Sequence, residues 1–275
     1  MTCQKMNEPS TRKNTWHVCS SKLPSNRIVC LIYCIAFLLC GLTKTAFAQY
    51  TLGSGDAATG PLASVAIGYG SFASGTSAIA IGYYPRATGV ASVSLGYGGT
   101  ASQLCSTAVG TVAVATGTYS ISIGYLTLAS NTYSFAGGNS TIANGYSATT
   151  LGTSTVASGT FSTALGYSGT AAGTYSTVLG RNTKAAGISQ VVIGQFNTPL
   201  SSATAGVVSP SDALFIIGNG TSASTTSNAM TVTSSGDVSV AGGVFVSGSS
   251  SFHGPARIQP QGDLSMGSFT MGPTP

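Results

Sequence analysis

The chain has 275 residues, of which 43% are hydrophobic and 5% charged, with 37 glycines and a formal net charge of +5. Charged side chains this sparse leave few groups for acid–base or metal chemistry. The excess positive charge is confined to the N-terminus, so it does not describe a nucleic-acid-binding face.

In chain order, the first element is a leader. Lys5, Arg12, Lys13, Lys22 and Arg27 precede an apolar run from Ile28 to Leu42, and Ala46-Phe47-Ala48 supplies a small-x-small cleavage site. This pattern predicts a signal peptide over residues 1–48, cut before Gln49, and therefore an exported protein. The run, about 15 residues long, is short for a retained membrane anchor, and the mature chain contains no transmembrane segment. Cys40 stands after bulky Leu39, where lipidation needs a small residue.

Removal of the leader changes the charge argument. Arg86, Arg181, Lys184 and Arg257 then face Asp56, Asp212, Asp237 and Asp263, a net of zero, so no nucleic-acid partner is expected. Only Cys105 stays of six cysteines, which excludes an intrachain disulfide framework and a thiolate metal site. Cys105 reads as a small residue at a repeat position, although it could bridge copies in an oligomer.

After a lead-in over 49–61, ten glycines stand 14 residues apart without a slip: Gly68, Gly82, Gly96, Gly110, Gly124, Gly138, Gly152, Gly166, Gly180 and Gly194. A sustained period of this kind specifies a solenoid. Five residues after each of the first nine lies an alanine, from Ala73 to Ala185, and two residues further a second turn-former such as Gly75, Gly89 or Asn131. Runs such as Val65-Ala66-Ile67, Ile79-Ala80-Ile81 and Ile121-Ser122-Ile123 alternate large and small residues, which is strand alternation. Each unit is therefore expected to hold two short strands and two glycine turns. Stacked in parallel, the units are expected to merge the large aliphatics into one continuous core. The alanine column is expected to mark a tight corner, and the corner glycines to adopt positive φ. Some units depart from the pattern: Thr107, Thr149, Thr163 and Thr177 take the first large position, and Phe135-Ala136-Gly137-Gly138 lacks the second aliphatic.

The repeat, as in Ala63-Ser64-Val65-Ala66-Ile67-Gly68-Tyr69-Gly70-Ser71 followed by Ala87-Thr88-Gly89, resembles the head repeat of YadA-type trimeric autotransporter adhesins. The resemblance spans residues 62–198. It implies a left-handed parallel β-roll of about ten coils, three chains packed side by side as a homotrimer, and attachment to matrix proteins, glycans or other cells from an extracellular or cell-surface location. That family normally continues into a coiled-coil stalk and a membrane barrel. After Gly194 neither heptads nor four long alternating strands are seen, so no means of anchoring is expected from this stretch.

Residues 199–211 read as a loop. Asp212–Thr221, Asn228–Val232 and Asp237–Val240 then read as three strands of a β-rich capping region over 199–246, which resembles the region behind such heads in surface and phage-tail-like fibres. A cap is needed because an open parallel edge recruits other strands. Residues 247–275 form a Gly/Ser/Pro-rich tail.

No catalytic, cofactor-binding or metal-binding residues are expected. The single mature histidine, His253, lies in a Ser/Gly-rich stretch, and isolated aspartates offer neither paired carboxylates nor a calcium loop. The expected candidate adhesive surface is a tyrosine column following the anchor glycines: Tyr69, Tyr83, Tyr97, Tyr125 and Tyr167. Aromatic rows on an uncharged surface suit protein or glycan contact, or else cover the turn edge and brace neighbouring coils. A second candidate surface is the serine set Ser64, Ser92, Ser106, Ser120, Ser134, Ser162 and Ser176. The expected function is a non-enzymatic adhesive fibre head. The alternative is a structural fibre, spacer or phage-tail-like component without a dedicated receptor. An ice-binding face is disfavoured because Val90, Leu104 and Tyr146 interrupt the threonine rows.

Overall fold

The computed structural model describes residues 50–53, 55–60, 63–200, 208–245 and 247. The leader over 1–48, with Cys40, and His253 in the tail lie outside the described residues. Among the described residues there are 24 strands and no helix.

Each coil contributes one five-residue strand and one two-residue strand, as in Val65–Tyr69 and Phe72–Ala73. The long strands stack in parallel into a 14-stranded sheet and the short strands into a parallel 10-stranded sheet. From Val65 to Gln195 pairing joins residue i to residue i+14, and Gly82, for example, lies beside Gly68 and Gly96, while the strands before Val65 pair at i+15. The fold is thus an all-β solenoid of about ten coils.

The interior differs from the expected one. The large aliphatics do not form the core of the roll. It is the small central residue of each long strand that is buried: Ala66, Ala80, Ser94, Ala108, Ser122, Ala136, Thr150, Ala164, Val178 and Val192 are each 0% exposed. The aliphatics on either side point outward, and Ile123, Leu151 and Leu179 are 42, 52 and 51% exposed. The alanine column explains this inversion. Ala73, Ala87, Ala101 and their successors to Ala185 occupy the second place of each short strand and face the same interior, fully buried or nearly so. These alanines mark the space between the sheets, not a corner. Two sheets bridged by turns of a few residues enclose room for methyl and hydroxyl groups only. Where a larger residue enters, a neighbour is deleted: a Cβ on Gly169 would stand 3.1 Å from Val178 Cγ2.

The two glycine columns serve different needs. Gly82 has φ of +134°, and a Cβ there would fall 2.0 Å from Gly96 O. Gly75 lacks a positive φ, yet its Cβ would meet Gly89 O at 1.9 Å, so close approach of successive coils excludes a side chain. The left-handed residues of the turns are instead mostly non-glycine. Tyr84, Val112, Leu126 and Ser140 form one such column, and Ala91, Cys105, Tyr119 and Tyr133 another, with φ between 52 and 59°. Their N–H groups donate to carbonyls 15 residues back, as Tyr84 N does to Tyr69 O at 2.8 Å and Tyr119 N to Leu104 O at 2.9 Å. The turns are therefore locked by the preceding coil.

Both ends of the stack are closed by side chains. At the start, the Asp56 carboxylate accepts from Gly68 N at 3.1 Å and Ser71 N at 3.0 Å. At the far end, Asn197 accepts from Lys184 N at 2.7 Å and donates to Lys184 O at 3.0 Å, replacing the peptide that a further coil would bring. Gln190, fully buried, accepts from Ala186 N and Gly187 N and donates to Leu200 O and Ala213 O. The chain then adds Ala213–Asn219 in parallel to Val191–Gln195, followed by antiparallel Asn228–Thr233 and Val238–Val240. These are the three strands expected after the loop, and they turn the parallel edge into an antiparallel one.

Candidate functional site: aromatic edges and an aliphatic face

The roll presents four surfaces: the outer face of each sheet and the two rows of turns that join them. On the long-strand sheet, alternation puts the first and third residues outward, so the register aligns Ile79 with Val65 and Val93, and Ile81 with Ile67 and Leu95. The resulting aliphatic face runs the length of the roll and is interrupted by Thr107, Thr149, Thr163 and Thr177 and by Gly137. Nothing among the described residues covers it. Contiguous exposed apolar surface of this extent marks an interaction site.

The expected tyrosine column lies at the turn leading from long to short strand. Tyr69, Tyr83, Tyr97, Tyr125 and Tyr167 are all exposed. The structure brings three of them together: Tyr69 and Tyr83 stack at 5.3 Å and Tyr83 and Tyr97 at 5.2 Å. Tyr84 meets Tyr69 and Tyr83 edge to face, at 5.3 and 4.7 Å. Tyr125 and Tyr167 make no ring contact among the described residues, so the column is a cluster over the first coils and not a continuous ladder. Within the cluster the Tyr84 phenol is pushed above its ordinary value of 10.0, first by hydrogen bonding to the Tyr69 side chain and then by desolvation. The Tyr84 phenol is therefore neutral near pH 7.

A second aromatic row stands on the opposite edge, at the turn from short to long strand. Tyr119 stacks on Tyr133 at 5.4 Å, Tyr133 meets Tyr146 at 5.8 Å, Tyr146 meets Phe161 at 5.5 Å, and Phe161 stacks on Tyr175 at 5.2 Å. Four of these residues occupy one left-handed turn position nine residues after the anchor glycines, with φ between 56 and 59°. Tyr146 is one place out of step, beside Ser147, which keeps the period from revealing the row in the sequence.

The serine set is not a surface. Ser64, Ser92, Ser106, Ser120, Ser134, Ser162 and Ser176 are buried, at 0 or 1% exposure. Each precedes a long strand and points inward, where its hydroxyl can close the turn. Ser92, Ser120 and Ser162 donate to the carbonyls of Gly89, Gly117 and Gly159 at 2.6–2.7 Å. A serine column next to a glycine turn is the signal that would have identified this role.

Among the described residues there is no group of three or more His, Cys, Asp or Glu that could hold a metal ion, and no helix long and apolar enough to cross a membrane. Two of the three cations on the roll lie over rings, Arg86 at 4.8 Å from the centre of Phe72 and Arg181 at 5.0 Å from that of Phe196. Such pairing suits sparse charges on an apolar surface.

The coil sequences match a known repeat. The model of the YadA head domain repeat matches residues 62–84, 115–141 and 143–168. No curated protein matches the chain. The 14-residue coils, their parallel register and these matches identify the matched coils within residues 62–168 as repeats of the YadA head type.

Proposed function

We propose that this chain is exported and forms the head of a homotrimeric surface fibre that adheres to matrix proteins, glycans or other cells. The observation that carries the reading is the inside-out distribution of apolar residues. The roll folds around alanine, serine and threonine, and leaves Ile81, Ile123, Leu151 and Leu179 exposed along one flat sheet. Such a face needs other copies of itself, because repetition at one coil pitch makes it complementary to an identical rod in register. Three copies packed on this face leave the outer sheet and turn edges for contact with a surface, and the tyrosine column Tyr69, Tyr83, Tyr97, Tyr125 and Tyr167 supplies one contact edge. The role is structural and adhesive, not enzymatic, in keeping with the head-repeat family.

The test has two readouts on the full secreted chain. Light scattering is expected to give three times the chain mass, and immobilised matrix proteins and glycans are expected to capture the trimer. A stable monomer contradicts the trimeric head. A trimer that binds no member of the panel favours a spacer within a longer fibre.

A further inference from the structure

We propose that the row Tyr119, Tyr133, Tyr146, Phe161 and Tyr175 is a binding site for an extended, uncharged polysaccharide. This rests on the adhesive reading above and names one ligand class and one edge for it. Three observations carry the assignment.

First, the turn does not require aromatic residues. The same left-handed position holds Ala63, Ser77, Ala91, Ser147 and Ser189 in other coils, with φ between 39 and 55°. Small residues therefore serve the backbone, and a bulky residue at positive φ is the less favourable choice. The aromatic run is nonetheless maintained across five successive coils. Where the position itself is Ser147, Tyr146 fills the gap and contacts both neighbours. A row kept continuous by an out-of-register residue reflects the row, not the turn.

Second, the edge is uncharged. No Asp, Glu, Lys, Arg or His occurs between Arg86 and Arg181, which encloses the whole row. A polyanion such as a sulfated glycan or nucleic acid would find no counter-charge here, and an ionic protein surface would lose hydration without compensation. An uncharged, hydroxyl-rich polymer has neither difficulty.

Third, the spacing and polarity match a polymer. Rings recur every 5.2–5.8 Å, close to the advance of one sugar unit in an extended chain. At the usual strand spacing the row runs about 20 Å. All five residues are exposed, and none of the tyrosine hydroxyls has a hydrogen-bond partner among the described residues. The phenols are thus available as donors and acceptors. The ring edges and the end faces of Tyr119 and Tyr175, flanked in the next coils by Cys105 and Ser189, offer apolar contact to C–H faces of sugars.

The experiment uses the full secreted chain and immobilised linear hexasaccharides: cello-, xylo-, manno- and chitohexaose, with a heparin hexasaccharide as the charged control. At least one uncharged probe is expected to bind, with an affinity little changed by added salt, and heparin is not. The variant carrying Tyr119→Ser, Tyr133→Ser, Phe161→Ser and Tyr175→Ser uses the residue that coils already hold at Ser77, Ser147 and Ser189, so the roll is retained. Its binding is expected to fall tenfold or more. Val112→Ser/Leu126→Ser on the other edge, where Ser140 holds the same turn position with φ of 53°, is expected to leave glycan binding within twofold. Retained binding in the four-site variant overturns the proposal, as does binding of heparin alone. A change of oligomeric mass in that variant also overturns it, since the row would then be a contact between copies. Capture by matrix proteins with no uncharged glycan bound removes this inference and leaves the adhesive reading standing.

Discussion

The two faces of one long strand differ more than the two ends of the molecule. Ala80 and Ile81 are neighbours, yet Ala80 is sealed between the sheets at 0% exposure while Ile81 lies on the outer face at 37%. The inner face selects against size, because the short strand opposite brings Ala73 and Ala87 into the same narrow space. The outer face selects for size and apolarity without any partner among the described residues. On the proposed trimer, folding of one roll and assembly of several are written into alternate residues of the same strand. Hydrophobic surface, the main driving term in most folds, is here largely left outside the fold of the roll.

The sharpest way to break this comparison is to exchange the demands of the two faces. Ala80→Leu adds three carbons to an interior with no room and is expected to cost about 3 kcal/mol or more, the upper range for overpacking. Its chief effect is loss of folded protein, read as a large drop in the urea midpoint. Ile81→Asp is expected to do the opposite: the far-ultraviolet β signal stays while light scattering shows dissociation, because like charges meet where copies pack. Unchanged mass for Ile81→Asp would remove that face from the assembly.

This inversion also shows what was legible in the sequence. Alternation in Val65-Ala66-Ile67 tells which side chains share a side, and the 14-residue period tells which stack. Neither tells which side is inside, since that depends on the width between the sheets. The alanine column from Ala73 to Ala185 held that information, because two facing rows of small residues imply sheets in close contact. The serines before each strand misled for a related reason: a hydroxyl bonded to its own turn is as comfortable inside as out. Of the candidate contact residues, the Tyr69 column was visible because it follows the anchor glycines. The Tyr119 row was hidden by Tyr146 standing one place early. Its continuity exists only in three dimensions, where a ring can reach across one residue of displacement.

A smaller effect is expected at the end of the stack, where Gln190 takes the position filled by serine in most other coils. Serine at this position closes the turn alone, as Ser120 does by donating to Gly117 O at 2.6 Å and accepting from Gly117 N at 3.1 Å. Gln190 does so and also reaches Leu200 O and Ala213 O, both at 2.9 Å. Gln190→Ser separates the two roles, because it keeps the turn and releases the following strand. It is expected to cost about 1–3 kcal/mol for two hydrogen bonds lost, the one to Ala213 O buried and the one to Leu200 O partly so. Hydrogen exchange should locate the loss at Ala213–Asn219 and leave the coils before Gly180 protected. Exchange rising evenly along the whole roll would show instead that the end cap and the repeats unfold as one unit.

The smallest expected effect distinguishes two serines that the sequence makes equivalent. Ser162 and Ser176 sit one coil apart, both 0% exposed. Ser162 Oγ donates to Gly159 O at 2.7 Å, whereas Ser176 Oγ is buried with no partner among the described residues. Alanine already occupies this column at Ala78 and Ala148, so neither substitution strains the backbone. Ser162→Ala removes a satisfied bond and is expected to cost about 1 kcal/mol. Ser176→Ala removes an unpaired hydroxyl from an apolar setting and is expected to be neutral or stabilising by a few tenths of a kcal/mol. Urea midpoints of the two variants measured side by side decide the matter. Equal losses would mean that both hydroxyls find partners in solution, and that every coil closes its turn in the same way.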